Sequence, residues 1–334
     1  MKFLIIRFSS IGDIVLTTPV VRCLKKQVAT AEVHYLTKAA FRPILAANPF
    51  VDKIHCLDNN LDATIETLKA EDFDYVIDLH HNLRTLRVKR ALKKQAFSFD
   101  KLNIQKWLYT NFKINRLPPV HIVDRYLDTL KTFGIKNDGA GLDYFIPKED
   151  ELKPGDIPTS HQAGYAGLVI GAALATKRLP FHKLEAICRE IRHPLILLGG
   201  PEDAETAKKL AAIDPVKVYN ACGLFTLNES AGLVRQAKVI ITHDTGLMHI
   251  AAAFKRPVIS IWGNTVPEFG MYPYYGENFL FHYQGGLLGD HPDLTLEVKG
   301  LSCRPCSKIG YDKCPRGHFK CMEQQAIDRI FQYF

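Results

Sequence analysis

Short apolar runs alternate with helical patterns along most of the chain. In the first half FLIIR (3–7), EVHYLT (32–37), DKIHCL (52–57) and YVIDLH (75–80) have the length and β-branched character of strands. Runs such as FLIIR are apolar without alternation, which suits strands buried on both faces of a parallel sheet. Helical patterns at 20–27, 39–47, 61–70, 83–94 and 121–134 separate and close these strands. Residues 136–164 are rich in Gly, Pro and Asp, lack apolar periodicity, and predict a linker. The alternation then restarts, with strands at 166–172, 194–200, 216–220, 238–243 and 257–263 and helices near 181–191, 202–212, 228–236 and 246–254. Residues 322–334 carry an amphipathic helical pattern.

The pattern predicts an α/β protein with two doubly wound, Rossmann-like domains in series, facing a central cleft. The expected units are 1–155, 165–321 with a cysteine-rich tail, and a helix over 322–334 that packs back across the domains. A length of 334 residues agrees with two domains. Ligands of open α/β sheets bind beyond the carboxyl ends of the strands, so chemistry is expected in the loops that follow them.

Composition narrows the classes. With 47% hydrophobic and 23% charged residues the chain is globular, neither disordered nor a small disulfide scaffold. No apolar run reaches the ~20 residues of a membrane span, and the first residues lack a signal-peptide pattern; a cytoplasmic protein is expected. A net charge of +8 suits an anionic partner without choosing one. Cys23, Cys56, Cys188 and Cys222 lie in or beside apolar stretches and predict buried thiols.

Three loops carry candidate chemistry. After the first strand comes RFSSIGDIVLTTP (7–19). Ser9, Ser10 and Gly12 make a turn that lets backbone approach a ligand. Asp13 stands at a helix start, either as an N-cap or as a carboxylate that accepts a substrate proton. Neither a G-x-G-x-x-G nor a P-loop pattern is present, which argues against a dinucleotide oxidoreductase and a P-loop NTPase. In GAALATKRLP (171–180), Gly171 opens a small-residue turn and Lys177 adds a positive charge. In THDTGLMHIAAA (242–253), Asp244 or Thr245 caps a helix and Gly246 leaves its first turn open to a phosphate, with His249 one turn on.

These loops, together with YVIDLHHNLR (75–84), HIVDRYLDTL (121–130) and the run 243–265, resemble the glycosyltransferase family of bacterial lipopolysaccharide heptosyltransferases, family 9. The resemblance spans almost the whole chain. It implies a GT-B fold and inverting transfer of a heptose or similar sugar, without a catalytic metal or other cofactor. The implied donor is an ADP-heptose-type nucleotide sugar and the implied acceptor a lipid-linked glycan, with peripheral contact at the cytoplasmic membrane face and no nucleic acid as partner. It assigns Asp13 as general base, with Lys177 and the Thr245–Gly246 helix start at the donor diphosphate and Asp244 and His249 in the same motif. Asn228 or Glu229 stands where a ribose contact is expected, while Ser9, Ser10, Gly12, His80 and Arg84 lie on the acceptor side.

The tail, CRPCSKIGYDKCPRGHFKCM (303–322), places Cys303, Cys306, Cys314 and Cys321 near His318, a soft set suited to a structural zinc. Its Lys308, Lys313, Arg316 and Lys320 either face an acidic lipid head group or solvate a loop. Two alternatives stand beside the transferase: a nucleotide-sugar epimerase of the same architecture, and a basic, non-enzymatic nucleic-acid-binding protein. Spread charge rather than a concentrated basic stripe argues against the second.

Overall fold

The computed structural model describes residues 1–57, 59–282 and 287–334. Two sheets form, each with all its pairings parallel. The first runs in the order β3-β2-β1-β4-β5, where β1 is Lys2–Ile6, β2 Glu32–Lys38, β3 Lys53–Leu57, β4 Tyr75–Asp78 and β5 Gln95–Ser98. The second runs β11-β10-β9-β6-β7-β8. Its strands are β6 Ala166–Val169, β7 Leu195–Leu198, β8 Val218–Asn220, β9 Val239–His243, β10 Val258–Trp262 and β11 Asp293–Glu297. The strand order reverses between β1 and β4 and again between β6 and β9. Crevices form at such reversals, beyond the carboxyl ends of the strands. The three candidate loops follow β1, β6 and β9. Two Rossmann-like sheets in series make this the GT-B fold.

The apolar strands are buried as their composition requires: Phe3 through Ile6, Leu195 through Leu198 and Val258 through Ile261 are inaccessible or nearly so. The largest apolar cluster runs through both halves, from Phe3, Ile14 and Tyr126 to Ile240, Met248 and Trp262. The halves therefore share a core beneath the cleft. The segment between them is anchored at both ends. Arg22, buried in helix Thr18–Gln27, donates from Nε and Nη2 to the Asp138 carboxylate at 2.7 and 2.8 Å and from Nη2 to the Gly141 carbonyl. On the other side the Tyr144 hydroxyl donates to Asn228 Oδ1 at 2.7 Å.

Several elements differ from the sequence pattern. Residues 39–47 form a 3₁₀ helix over Ala39–Ile44, where Pro43 supplies no N–H for an α-turn. The 121–134 pattern is α-helical only over Ile122–Leu127, then tightens to 3₁₀ over Asp128–Phe133 and stops at Gly134, whose φ of 71° suits glycine. The expected single helix at 322–334 is two short ones, Lys320–Glu323 and Asp328–Phe331. Met322, Ile327 and Ile330 pack with the second sheet's own cluster, so the tail is buried on that sheet. Edge strands β5 and β11 and helices Asn103–Phe112 and Glu277–His282 are not predicted by the pattern, and the expected linker carries a short helix, Thr159–Gln162. Cys23, Cys188 and Cys222 are buried as expected, while Cys56 is half-buried. No helix among the described residues is long and apolar enough to cross a membrane.

Candidate active site

β1 delivers Arg7, Phe8 and the Ser9–Gly12 turn, after which helix Ile11–Val15 begins. Its N-cap is Ser10, not Asp13. Asp13 is the third helical residue and closes the cap from inside: its Oδ2 accepts from the Ser10 N–H at 3.1 Å and from Ser10 Oγ at 2.8 Å. The other oxygen, Oδ1, pairs with Arg7 Nη2 at 2.5 Å.

Arg7 is itself fixed. Its Nε donates to the Ser9 carbonyl at 2.8 Å, and its Nη1 donates to the Leu79 carbonyl at 2.6 Å and the Tyr126 hydroxyl at 3.1 Å. Burial pushes the Asp13 carboxyl up, but the Arg7 charge and the Ser10 hydrogen bonds outweigh it and hold the group below the ordinary carboxylate value. Asp13 is therefore ionised at neutral pH, with its side chain 20% exposed at the cleft. Because the folded value is depressed, the pair stabilises the fold above the unfolded pKa of 3.8, and that contribution is lost as pH falls through the folded value.

Across the cleft, Lys177 ends a 3₁₀ turn, Ala175–Lys177. Its Nζ donates to Asp244 Oδ2 at 2.6 Å and to the Asp244 carbonyl at 3.3 Å. Thr265 Oγ1 donates to the same carboxylate oxygen at 2.9 Å. Helix Gly246–Ala253 follows with Thr245 as N-cap, and among the described residues no side chain accepts from its first-turn N–H groups. Those groups and the helix dipole favour an anion at this end of the helix, next to the Lys177–Asp244 pair.

The half-sites meet at two glycines. A Cβ on Gly12 would stand 2.5 Å from His249 Cδ2, and one on Gly246 would stand 2.7 Å from Ile11 Cγ2. Only glycine allows the turn after β1 to sit against the helix after β9. His249 is thus a buried wedge between the halves, with its Nδ1 left without a hydrogen-bond partner among the described residues. Burial pushes its imidazole down to about 4 against the opposing pull of Asp244 and Asp13, so the ring is neutral. Gly12, next to Asp13, packs on His249 and on Gly246, two residues from Asp244, so the two half-sites are neighbours.

The remaining candidates divide. His80 lies 4.8 Å from Phe8 with the rings tilted at 54°, and the exposed Arg84 lies over the Phe8 ring at 5.5 Å, so both border the β1 loop. Burial and the Arg7 charge push His80 down to about 4. Gly171 differs from expectation: the space beside its Cα is filled by the Asp203 carboxylate, which also pairs with Arg178 at 3.0 Å. That glycine admits a neighbouring side chain, not a ligand. Asn228 is buried and committed at both ends, accepting from Tyr144 and donating from Nδ2 to Asp150 Oδ2 at 2.7 Å. Its place is the anchor of the connecting segment. Glu229 caps its helix, with Oε2 accepting from the Thr226 N–H at 2.7 Å. Replacing Asn228 with Ala should lower stability by about 1–3 kcal/mol, the loss when buried partners go unsatisfied, and leave nucleotide affinity within twofold. Calorimetry showing a tenfold weaker nucleotide with normal melting would return Asn228 to the donor site.

Cys303, Cys306, Cys314 and Cys321 line one small cavity with His318, and Cys303 Sγ lies 3.8 Å from His318 Nε2. No three of these ligand atoms converge within 4.8 Å; among the described residues, the group that does is His34, His55 and Glu71. His34 Nδ1 and His55 Nε2 are hydrogen-bonded at 3.0 Å, while Lys53 pairs with the Glu71 carboxylate. That cluster lies at the first sheet, where no sequence spacing marks it. Sequence reasoning also missed Arg7, Lys101 and Lys106. The two lysines stand within electrostatic reach of Asp13, and Lys106 is pushed down to about 8 by burial and by Arg125.

The architecture is a two-sheet α/β fold of GT-B type, with Asp13 after a strand of one sheet and Lys177 after a strand of the other. The glycosyltransferase family 9 (heptosyltransferase) model matches residues 62–279. The chain is 27% identical over 289 residues to lipopolysaccharide heptosyltransferase 1 of Campylobacter coli, covering 79% of this chain and 84% of that one. In fold it is similar to a family 9 glycosyltransferase from Veillonella parvula, with a TM-score of 0.74, 21% identity, and 99% and 95% of the two chains covered. It is also similar to the E. coli ADP-heptose lipopolysaccharide heptosyltransferase II, with a TM-score of 0.68, 18% identity, and 97% and 98% covered. The chain belongs to glycosyltransferase family 9. It is a glycosyltransferase, and the epimerase and nucleic-acid alternatives find no support in these matches.

Proposed function

We propose that the enzyme transfers a heptose or similar sugar from an ADP-sugar to a lipid-linked glycan of the lipopolysaccharide core, with inversion, at the cytoplasmic face of the membrane. The observation that carries this is Asp13, on the helix after β1, facing Lys177 and helix Gly246–Ala253 of the other half, the two joined where Gly12 meets His249. The names of the relatives supply the substrate class. In this reading residues 1–155 take the acceptor and 165–321 the donor.

The acceptor hydroxyl oxygen attacks the anomeric carbon from the face opposite the diphosphate. The bond between that carbon and the phosphate oxygen breaks, and its electron pair leaves with the nucleoside diphosphate. The hydroxyl proton passes to Asp13. A carboxylate held below its ordinary pKa is a weak base toward a free alcohol. The proton therefore moves late, once bond formation has made the hydroxyl acidic. Lys177 exchanges Asp244 for the β-phosphate, and the Thr245–Gly246 helix start donates to the charge that develops there. Ser9, Ser10, His80 and Arg84 border the acceptor approach, and Glu229 stays on the donor side.

No step of this scheme uses a metal. Incubation with ADP-heptose and a core acceptor should give one product of inverted anomeric configuration, at an unchanged rate in EDTA. A chelator that lowers the melting temperature yet spares transfer would show a structural metal, and variants of the cysteine tail and of His34 and His55 would locate it. Activity that disappears in EDTA and returns with Mg²⁺ at constant melting temperature would contradict the scheme.

A further inference from the structure

Helix Asn103–Phe112 has no buried residue. Its apolar positions follow helical spacing, with Ile104, Trp107, Leu108 and Phe112 on one stripe. In a soluble helix that stripe turns inward. Here it turns out: Ile104 is 72% exposed, Trp107 55% and Phe112 58%. The opposite side, carrying Lys106 and Tyr109, covers Phe269 at 5.8 and 6.2 Å.

The surface continues past the helix. Ile114 is exposed beyond its end, and Ile309 and Tyr311 are exposed on the tail loop. That loop is held beside the helix at both ends: Lys308 Nζ lies 3.5 Å from Asn103 Oδ1, and Lys113 Nζ donates to the Pro305 carbonyl at 2.7 Å. Lys113 and Lys308 therefore border an apolar, Trp-bearing stripe, with Arg316 near Lys113 and with Arg116 and Lys313 close to them in sequence. An exposed apolar stripe rimmed by lysine and arginine matches a bilayer surface, with acyl boundary for the rings and anionic head groups for the cations.

We infer that helix Asn103–Phe112 and tail loop 305–316 together form the face that docks the enzyme on an anionic lipid surface, next to the acceptor side of the cleft. Lys106 and Tyr109, on the inward side of this helix, rest on Phe269, whose carbonyl accepts from Arg125 at 3.2 Å, so the docking face lies beside helix Ile122–Leu127 of the first half. The purpose given to the surface rests on the lipid-linked acceptor reading above; its affinity does not.

The test is flotation of the full chain with vesicles of phosphatidylcholine containing phosphatidylglycerol. The wild type should float with them, and binding should weaken in high salt. Trp emission should shift to the blue on binding, since Trp262 is already buried and Trp107 is the exposed indole. The triple variant Ile104→Ser, Trp107→Ser, Phe112→Ser should lose at least tenfold in vesicle partition at an unchanged melting temperature. A second variant, Lys308→Glu with Arg316→Glu, should lose binding to phosphatidylglycerol vesicles in the same way. Failure of the wild type to bind, or equal binding by the triple variant, overturns the proposal. A wild-type dimer that the triple variant converts to a monomer, with no vesicle binding, also overturns it and makes the face a self-association surface. Transfer to an acceptor stripped of its lipid separates the two readings: the triple variant should match the wild type there. Absence of transfer in both would count against the transferase substrates, not against the surface.

Discussion

Asp13→Asn should reduce turnover by about 10²–10⁴-fold, the contribution of a positioned general base. The amide can still accept from Ser10, but it cannot take a proton and it presents a donor to Arg7. The fold should therefore lose about 1.5–3 kcal/mol, the worth of a hydrogen bond to a charged group, while remaining folded at room temperature. ADP affinity should change by less than threefold, because the donor contacts come from the facing sheet. Near-full turnover at saturating substrates would reduce Asp13 to the closing residue of a helix cap. Asp78 could not replace it, being wholly buried and paired with Lys89 at 2.7 Å; His80 would be next to test. The pH profile gives a second reading. With Asp13 held below the ordinary carboxylate value, turnover should show no acid limb from this group down to about pH 5.

Lys177→Ala should weaken ADP binding by about ten- to a hundredfold, the equivalent of the ~1.5–3 kcal/mol of a charge-assisted contact. Without a nucleotide, the ammonium is occupied by Asp244. Diphosphate binding substitutes one anion for another, and Thr265 keeps the released carboxylate partnered. Asp244→Asn should consequently leave ADP binding intact or strengthen it, since it removes the competing anion. Calorimetry that finds Lys177→Ala indistinguishable from wild type would take Lys177 out of the donor site.

Both sheets and all three loops are legible in the sequence because central parallel strands are apolar throughout and their following loops must carry the polar chemistry. What escaped lies where neither rule applies. Strands β5 (QAFS) and β11 (DLTLE) are edge strands with one neighbour each, and their polar residues break the run. Helix Asn103–Phe112 has a helical stripe but no core to face, so it does not stand out as an element of the fold. Arg7 sits at the end of a strand pattern, and its role depends on Leu79 and Tyr126, brought near by the sheet and by helix Ile122–Leu127. The roles of Gly12 and Asn228 are likewise set by partners from the other half of the chain or its connector, His249 in one case and Tyr144 with Asp150 in the other. A local motif marks that such residues matter, but not what they touch.

The most direct test of the account is a structure of the enzyme with ADP bound. The account predicts the β-phosphate within hydrogen-bonding distance, about 3 Å, of Lys177 Nζ and of the N–H groups at Thr245–Gly246. Asp13 should face it across the cleft, with room for a sugar between them. A diphosphate seated away from Lys177 and that helix start, or Asp13 shielded from the bound nucleotide by intervening side chains, would contradict it.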